Sequence, residues 1–518
     1  MLILLPVRIL SVSLSFPIVR LSGPEIFSVG IPFPIKPDPV GGKAMLDDIL
    51  NLLLPAMRDL LQDIIRDYSG FVELRYHGKV FRSVTAEKGR IERTAIRRRS
   101  GVGVRVLEAG TWGFASTGDP SPIAIRDAIE EARRAAQASA CYRKHKLGSL
   151  PKVQLAQGEF SEPGVDEVLN RPLEEKIQLA LETEAQTRKA SGQIGSASCT
   201  YNEIYEEKAI LTSDGADVAF RLVRPEFRVQ AVAEAAGQLS SGSESIGVTG
   251  GWNCLFREEP LRMAEKAAAT AVDLLSAGYA EGGWATVILS PSIVGLLVHE
   301  AIGHTVEADF VLSGSVAAGK LGQRVASEWV TLRDSGHSEF APGAGGTIPV
   351  DDEGILTQNT TIIQDGILVS YLHNRETAAH FGVEPTGNAR AWEYADEPLI
   401  RMRNTYIEPG SQTLEEIIAN TADGYFLDGA RNGQADSTGE FMFGVERAYR
   451  IRQGKLAELV RGVTITGNAF DVLRSVDAVS QDFLWDLGSG HCGKGQPAKV
   501  DAGGPYIRCR AILGGQQS

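Results

Sequence analysis

Apolar residues recur about every 3.6 positions in four stretches of the first 280 residues, a pattern typical of amphipathic helices. In the first stretch, which Met45 opens, Leu53, Met57 and Leu60 fall on one helix face. The third stretch has Pro172 near its start and Gly192 past its end, as helices commonly do. We therefore predict helices at 45–68, 123–138, 173–190 and 261–277.

Between these helices, apolar and polar residues alternate, which indicates strands with one buried face. Ser213, Asp214 and Gly215 form a typical turn between two such runs. Farther along, glycine-containing turns predict hairpins at 360–372 and 448–460, with a short helix at 414–422. The strands predicted in the first half of the chain lie at 71–76, 79–85, 90–98, 102–107, 196–202, 203–212 and 216–230.

These elements predict a multi-domain α+β protein, with N-terminal α+β units followed by a β-rich C-terminal domain. A chain of 518 residues suits two to four domains of about 100–200 residues each. We place them at 45–150, 151–279 and 280–518. Residues 1–44 are predicted to be a poorly ordered leader or a misassigned start, because proline and arginine interrupt their apolar run. The same interruptions argue against a membrane-spanning helix.

The composition narrows the class of protein. A hydrophobic fraction of 43% and a charged fraction of 23% are typical of globular proteins. The net charge of −13 argues against general binding of nucleic acid, which requires a basic surface. Five scattered cysteines do not form a disulfide framework, so we predict a cytoplasmic protein. With the net charge and the interrupted apolar run, we also predict that it has no nucleic-acid or membrane partner.

The most informative motif is a pair of histidines, His299 and His304, with Glu300 directly after the first. Two histidines and a glutamate are the residue set of a metal site with its own general base. The motif follows a predicted strand at 284–289 and a helix start at Ser290 and Pro291. The helix is apolar on nearly all faces, so polar side chains inside it need partners or a metal.

The spacing of these histidines is unusual. Metalloproteases commonly separate the two histidines by four positions, which places both on one helix face. A separation of five positions puts them roughly 140° apart on a regular α-helix, at about 100° per residue. They share an ion only if the helix widens or ends between them. Gly303, just before His304, suits such a change, and π-helical turns are frequent at functional sites.

Two histidines need at least one more protein ligand, with a position left for water. The loop at 489–495 is rich in glycine and contains two candidates, His491 and Cys492. Glu307 and Asp309 lie just after the histidine motif, and His373 lies between the motif and the loop. The residue types alone leave the choice open among Cys492, His491, Glu307, Asp309 and His373.

Several separated motifs, in this order, resemble the TldD/PmbA family of metalloproteases, on its TldD-like, catalytic side. The resemblance extends over nearly all of the chain from about 70 to 515. Its motifs lie at 101–106, 112–116, 299–304, 307–309, 350–354, 386–390, 401–406, 439–444 and 490–494. A set of motifs in the same order is far more specific than any one of them.

The resemblance implies that His299, His304 and Cys492 bind zinc (Zn²⁺), whereas His491 is not assigned as a ligand. It also implies a dimer that encloses a cavity, either a homodimer or a heterodimer with a PmbA/TldE-like chain. The expected function is hydrolysis of unfolded or short peptides in that cavity. Glu300 is the expected catalytic residue, as general base on zinc-bound water.

Two other functions stay open. One is a non-catalytic adaptor that contains zinc and modulates a partner protein, which a closed four-ligand site would favour. The other is a zinc amidase that acts on a small molecule. Tyr406, Phe441 and Phe443 could line a peptide surface, but we expect them in the buried core.

Overall fold

The structure, a computed structural model, describes residues 44–144 and 146–515. The prediction of a leader or misassigned start lies outside these residues, apart from position 44. In the first half of the chain the strands are β1 (Phe71–Glu87), β2 (Arg90–Glu108), β3 (Thr111–Thr117), β4 (Gln157–Ser161), β5 (Ile194–Thr212), β6 (Asp217–Ala235) and β7 (Gln238–Gly247). The helices are α1 (Ala44–Arg66), α2 (Pro122–Ser139), α3 (Val165–Leu169), α4 (Leu173–Lys189), α5 (Trp252–Leu255) and α6 (Pro260–Ser276). The four predicted helices are confirmed as α1, α2, α4 and α6.

One mixed sheet joins all seven of these strands, in the order β3-β2-β1-β5-β6-β4, with β7 also paired to β6. One part of the sheet packs its apolar side chains against α1 and α2, and another packs against α4 and α6. The sheet takes strands from both sides of the predicted domain boundary at 150. The division at 150 and at 279 stays a prediction.

The strands of this sheet are longer than predicted. The separate strands at 71–76 and 79–85 are one strand, β1, and those at 90–98 and 102–107 are one strand, β2. The runs at 196–202 and 203–212 likewise join in β5. Gly101 does not interrupt the pairing of β1 with β2, because it pairs with His77. Glycine is needed at this position because the backbone at the end of β3 lies very close to it. A Cβ there would lie 2.5 Å from the carbonyl oxygen of Thr117.

The second half of the chain is rich in short strands, as predicted. Its helices are α7 (Pro291–Leu296), α8 (Ala308–Leu312), α9 (Arg375–Phe381), α10 (Leu414–Ala419) and α11 (Ala469–Arg474). Its strands are β8 (Gly278–Tyr279), β9 (Gly283–Leu289), β10 (Leu332–Ser335), β11 (Asn359–Gln364), β12 (Ile367–Leu368), β13 (Ala389–Arg390), β14 (Leu399–Ile400), β15 (Asn404–Ile407), β16 (Asp423–Ala435), β17 (Glu440–Arg452), β18 (Lys455–Arg461), β19 (Thr464–Asn468), β20 (Ala478–Val479), β21 (Leu484–Trp485), β22 (His491–Gly493), β23 (Pro497–Lys499), β24 (Asp501–Gly504) and β25 (Ile507–Gly514). Both predicted hairpins are confirmed, as β11–β12 and β17–β18.

Five strands of this half close into a ring. β9 pairs with β16 and β25, β19 pairs with β25 and β17, and β17 pairs back with β16. A second sheet has the order β12-β11-β10-β15-β24-β21. Helix α7 leaves the end of β9 and packs on β24, where Gly295 allows close contact with the backbone of Ala502.

The predicted α+β class, with a β-rich C-terminal part, is confirmed. Tyr406, Phe441 and Phe443 are buried, as expected of core residues. None of the helices in the described part of the chain is both long and apolar enough to span a membrane.

Candidate metal centre

The helix that carries the histidine motif starts as the sequence indicates. Ser290 has an extended backbone, and its carbonyl oxygen accepts the first helical bond from the amide of Val294 at 2.9 Å. Its hydroxyl does not cap the helix but lies 3.1 Å from the hydroxyl of Ser292 and accepts a bond from the amide of Gly429. The helix start is therefore tied to β16, just past the residues of that strand that pair with β9.

The helix widens at the motif. Residues Leu297–Gly303 form a π-helical turn, in which the amide of His304 donates to the carbonyl of His299. A bond between residues five apart places those side chains on the same side of the helix. The two imidazole rings lie 5.4 Å apart, centroid to centroid, at an angle of 81°. The sequence required the helix either to widen or to end between the histidines if they share an ion, and in the structure it widens.

Gly303 serves the site differently from our interpretation. Its backbone has ordinary helical angles, with φ −54° and ψ −48°, so glycine is not needed for the conformation. It is needed for space, because a Cβ at this position would lie 1.9 Å from the Sδ of Met402. Met402 is fully buried. The π-helical turn therefore depends on close packing against the segment before β15.

We expect Gly303→Ala to destabilise the protein by about 1–3 kcal/mol, the usual range for overpacking a buried site. Met402→Ala in the same chain should recover part of this loss, because it removes the atom that the new methyl group meets. Chemical denaturation of the two single variants and the double variant measures the coupling. Additive effects of the two substitutions would contradict this explanation of Gly303.

Cys492 completes a group of three metal-binding side chains. It lies on β22, which pairs with β23, and its Sγ is 3.1 Å from the Nε2 of His304. One potential ligand atom from each of His299, His304 and Cys492 lies within 4.8 Å of the others. Arg401 holds this loop by donating to the carbonyl oxygens of Cys492 at 2.6 Å and Gln496 at 2.8 Å. Nearly two hundred residues of sequence separate the cysteine from the histidines, and the hairpin brings it back.

The geometry fits a bound metal ion. Both ring nitrogens of His299 are buried and have no hydrogen-bond partner within the described chain. Buried polar atoms are normally paired, so two unpaired nitrogens in one side chain call for a ligand. The group contains two imidazoles and one thiolate, and among the described residues it has no fourth ligand. A tetrahedral zinc ion bound here would keep one position open.

The charge of Cys492 favours metal binding, whereas His304 must give up a proton when a metal binds. Burial by itself raises the pKa of the Cys492 thiol, but the charge of His299, and then the hydrogen bond from His304 and its charge, bring that pKa down to about 4. Burial lowers the pKa of His304, yet its bonds to Cys492 and Glu307 raise that pKa to about 10. The cysteine is therefore a thiolate at neutral pH, the form that binds metals.

Glu307 and Lys494 support His304 from behind. Glu307 is fully buried, and its Oε2 accepts bonds from His304 Nδ1 at 3.1 Å and from Lys494 Nζ at 2.9 Å. Although burial opposes it, the bonds from His304 and Lys494 keep the pKa of Glu307 below its usual value. An ionised carboxylate only accepts hydrogen bonds, so Nδ1 carries a proton and Nε2 is the nitrogen that faces Cys492.

We expect Glu307→Gln to weaken zinc binding about 10- to 100-fold, the usual effect of removing a carboxylate behind a metal-binding histidine. Asp309→Asn is the matched control, because Asp309 also accepts a bond from Lys494 but does not touch His304. Competition with a chromophoric chelator gives the zinc affinity of each variant. Equal affinities for the two variants would show that Glu307 has no part in orienting His304.

The other candidate ligands lie outside the group of three. His373 is buried among aromatic side chains, 3.1 Å from the hydroxyl of Thr377, and burial lowers its pKa to about 4. The ring of His491 packs edge-on against Trp392. Asp309 bonds to Lys494 instead. Residue types and spacing assigned no role to Lys494 or Arg401. The only signal for these two residues was their place in the motifs that resemble the family.

Glu300 lies beside the three potential ligands. Its Oε2 is 3.9 Å from the Nε2 of His304, and its side chain is half-buried. This residue is therefore close enough to act on a molecule held at the open position, although it is not one of the three grouped ligands.

Together, the ring of strands, the widened helix and the His-His-Cys group define a candidate metal site on a β-rich domain. The chain matches the family models of three PmbA/TldA metallopeptidase domains: domain 1 at 72–136, the central domain at 166–275 and the C-terminal domain at 282–514. The chain belongs to the PmbA/TldD metallopeptidase family, as its motifs predicted.

Relatives of known name agree with this assignment. A metalloprotease of Methanothermobacter thermautotrophicus is 34% identical over 462 residues, which cover 88% of this chain and 98% of the relative. A zinc metalloprotease TldD homolog of Saccharolobus solfataricus is 27% identical over 447 residues, covering 86% of this chain and 96% of the relative. The solved structure of TldE from Thermococcus kodakarensis has the same fold, with a TM-score of 0.72 at 18% identity, covering 88% of this chain and 99% of TldE.

Proposed function

We propose that this protein is a zinc-dependent peptidase whose ligands are His299, His304 and Cys492. The observation that carries the proposal is the group of three side chains with both nitrogens of His299 buried and unpartnered. Three protein ligands with an open position are typical of catalytic zinc sites, whereas structural sites use four. This ligand count favours an enzyme over a purely structural zinc protein.

The donor set supports zinc as the metal. Imidazole and thiolate ligands together suit zinc, while magnesium, calcium and manganese prefer oxygen ligands. One relative carries zinc in its name. When bound, zinc supplies Lewis acidity toward water and toward the carbonyl group of a peptide.

Glu300 is the proposed general base. Its carboxylate lies next to His304 and remains partly accessible to solvent, so it can take a proton from water and later return it to the leaving amine. Glu307 and Lys494 hold His304 in one orientation, and Arg401 holds the loop of Cys492. These groups keep the site ordered before a substrate arrives.

The proposed substrates are unfolded or short peptides, cleaved inside the cavity of a dimer. The family resemblance supports this part of the proposal, with either a second copy or a PmbA/TldE-like chain as the partner. A cytoplasmic location agrees with five cysteines that do not form disulfides in the described chain.

Digestion of a peptide library, with products identified by mass, tests the proposed function. The protein is assayed metal-free, with added zinc, and with zinc plus a candidate PmbA/TldE-like chain. We expect new peptide termini only when zinc is present. Peptide binding without cleavage in every condition would favour the adaptor function, and turnover of small amides alone would favour the amidase function.

A further inference from the structure

A small cavity lies between the N-terminal sheet and the C-terminal half, away from the three potential ligands. Strands β5 and β6 contribute Lys208 and Arg224, and the C-terminal half contributes Arg390 and Lys499. All four of these cations are buried, with at most 7% of each residue exposed. Two carboxylates also line the cavity, those of Glu206 and Asp352.

Positive charge exceeds negative charge around this cavity. Lys208 pairs with Asp352 at 2.7 Å, Arg224 pairs with Glu206, and Lys499 pairs with Glu226 from outside the lining. The two carboxylates of the lining each contact a second cation. Arg75 lies 3.7 Å from Asp352, and Lys79 lies 3.3 Å from Glu206. Each carboxylate of the lining therefore compensates two cations at once.

Arg390 has the least compensation. Its two terminal nitrogens donate to the backbone carbonyls of Met402 and Lys499, at 2.6 Å and 2.5 Å. Within residues 44–144 and 146–515, Asp352 acts on Arg390 through its charge but forms its ion pairs with Lys208 and Arg75. Burial, and then the charge of Arg401, lowers the pKa of Arg390 to about 10. Buried charges are costly unless they are paired, so a further anion would stabilise this cluster.

The cavity has room for such an anion. Its volume is about 20 Å³, and a cavity needs roughly 10–15 Å³ to hold one water-sized group. It is not fully enclosed, and the half-buried Trp392 and the exposed Pro497 belong to its lining. A halide ion or a single carboxylate group suits this volume, whereas a nucleotide or a peptide side chain with its backbone does not.

We propose that this cavity binds one small monovalent anion, held by Lys208, Arg224, Arg390 and Lys499. The chemistry is that of a halide or of a carboxylate group. The anion would balance the charge between the N-terminal sheet and the hairpin β22–β23, since Lys499 ends the strand that pairs with the strand of Cys492. The lining of this cavity does not include any of the three potential zinc ligands.

Crystals of the full chain grown in bromide test the proposal directly, because bromide has an anomalous X-ray signal. We expect an anomalous peak in the cavity, among the four cations. In solution, replacing methanesulfonate, which is larger and has no carboxylate, with bromide at constant ionic strength should raise Tm by about 1–2 °C. Crystals that show bromide elsewhere but none in the cavity would overturn the proposal.

Two buried-lysine variants make the solution test specific. Lys208→Gln removes a cation of the cavity, and we expect it to lose the bromide effect on Tm and the anomalous peak. Lys176→Gln is the matched control, because Lys176 is also buried and pairs with a carboxylate, Glu203, but does not line the cavity. An equal bromide response in both variants would contradict the assignment. Should either variant fail to fold, the anomalous experiment on the unchanged protein still decides.

A third arm identifies the source of a carboxylate. Short peptides with a free C-terminus are compared with the same peptides carrying a C-terminal amide, in bromide-free buffer with zinc removed. A Tm rise with the free acids but not with the amides, in a protein that also responds to bromide, would assign the site to peptide carboxylates. A rise with bromide and with acetate, but equal for acids and amides, would assign it to free small anions. No response to bromide, acetate or the peptides would refute the site.

Discussion

Glu300→Gln is expected to lower kcat for peptide cleavage by about 10²–10⁴, the usual contribution of a general base. Glutamine has nearly the same shape as glutamate but cannot take a proton from water. Zinc content should stay at the wild-type level, because Glu300 is not in the group of three potential ligands. The measurements are single-turnover cleavage of a library-derived peptide and metal analysis of the same preparation.

The control for this prediction is Glu300→Asp, which keeps a carboxylate but draws it back by one methylene group. It should retain more activity than Glu300→Gln. Cleavage by Glu300→Gln at the wild-type rate would show that Glu300 is not the base. Loss of zinc in Glu300→Gln would instead show that the glutamate contributes to metal binding.

Cys492→Ala is expected to weaken zinc binding by more than about 100-fold, since even residues behind a ligand contribute 10- to 100-fold. The thiolate is the one anionic donor in the group, with a pKa of about 4. Two histidines alone leave too few ligands for a stable site. Peptide cleavage should be lost together with the metal.

Cys509→Ala is the matched control for Cys492→Ala. Cys509 is buried on β25, and burial raises the pKa of its thiol, so it stays neutral and far less suited to metal binding. Zinc affinity, measured by competition with a chelator, should be unchanged in this variant. If Cys492→Ala binds zinc as tightly as Cys509→Ala, the loop cysteine is not a ligand.

Local patterns were sufficient for much of the fold. Apolar periodicity located α1, α2, α4 and α6, because a helix face that packs on a sheet must be apolar. The lengths of the strands were wrong, because Gly78 and Gly101 resemble turn residues in sequence. In the structure both lie inside paired strands, where close neighbours require glycine.

The buried charges could not be predicted from the sequence. Lys208 and Arg224 lie on two consecutive strands, whereas Arg390 is far from both along the chain. Each resembles a solvated surface residue when considered alone. Their burial follows from the covering of the middle of the N-terminal sheet by the C-terminal half, through contacts such as that of Lys208 with Asp352. Only long-range packing decides which charged residues lose contact with water.

The histidine motif itself was determined by the sequence: two histidines, a glutamate and a spacing that requires the helix to widen. Which other side chain joins the histidines was decided by the tertiary structure, since five candidates were compatible with the residue types. The hairpin β22–β23 brings the Sγ of Cys492 to 3.1 Å from the Nε2 of His304. Glu307 instead bonds to the other ring nitrogen, Nδ1, and so is not in the group of three potential ligands. Local sequence determines the backbone of a helix, but the position of a ligand from a distant loop depends on the packing of the whole domain.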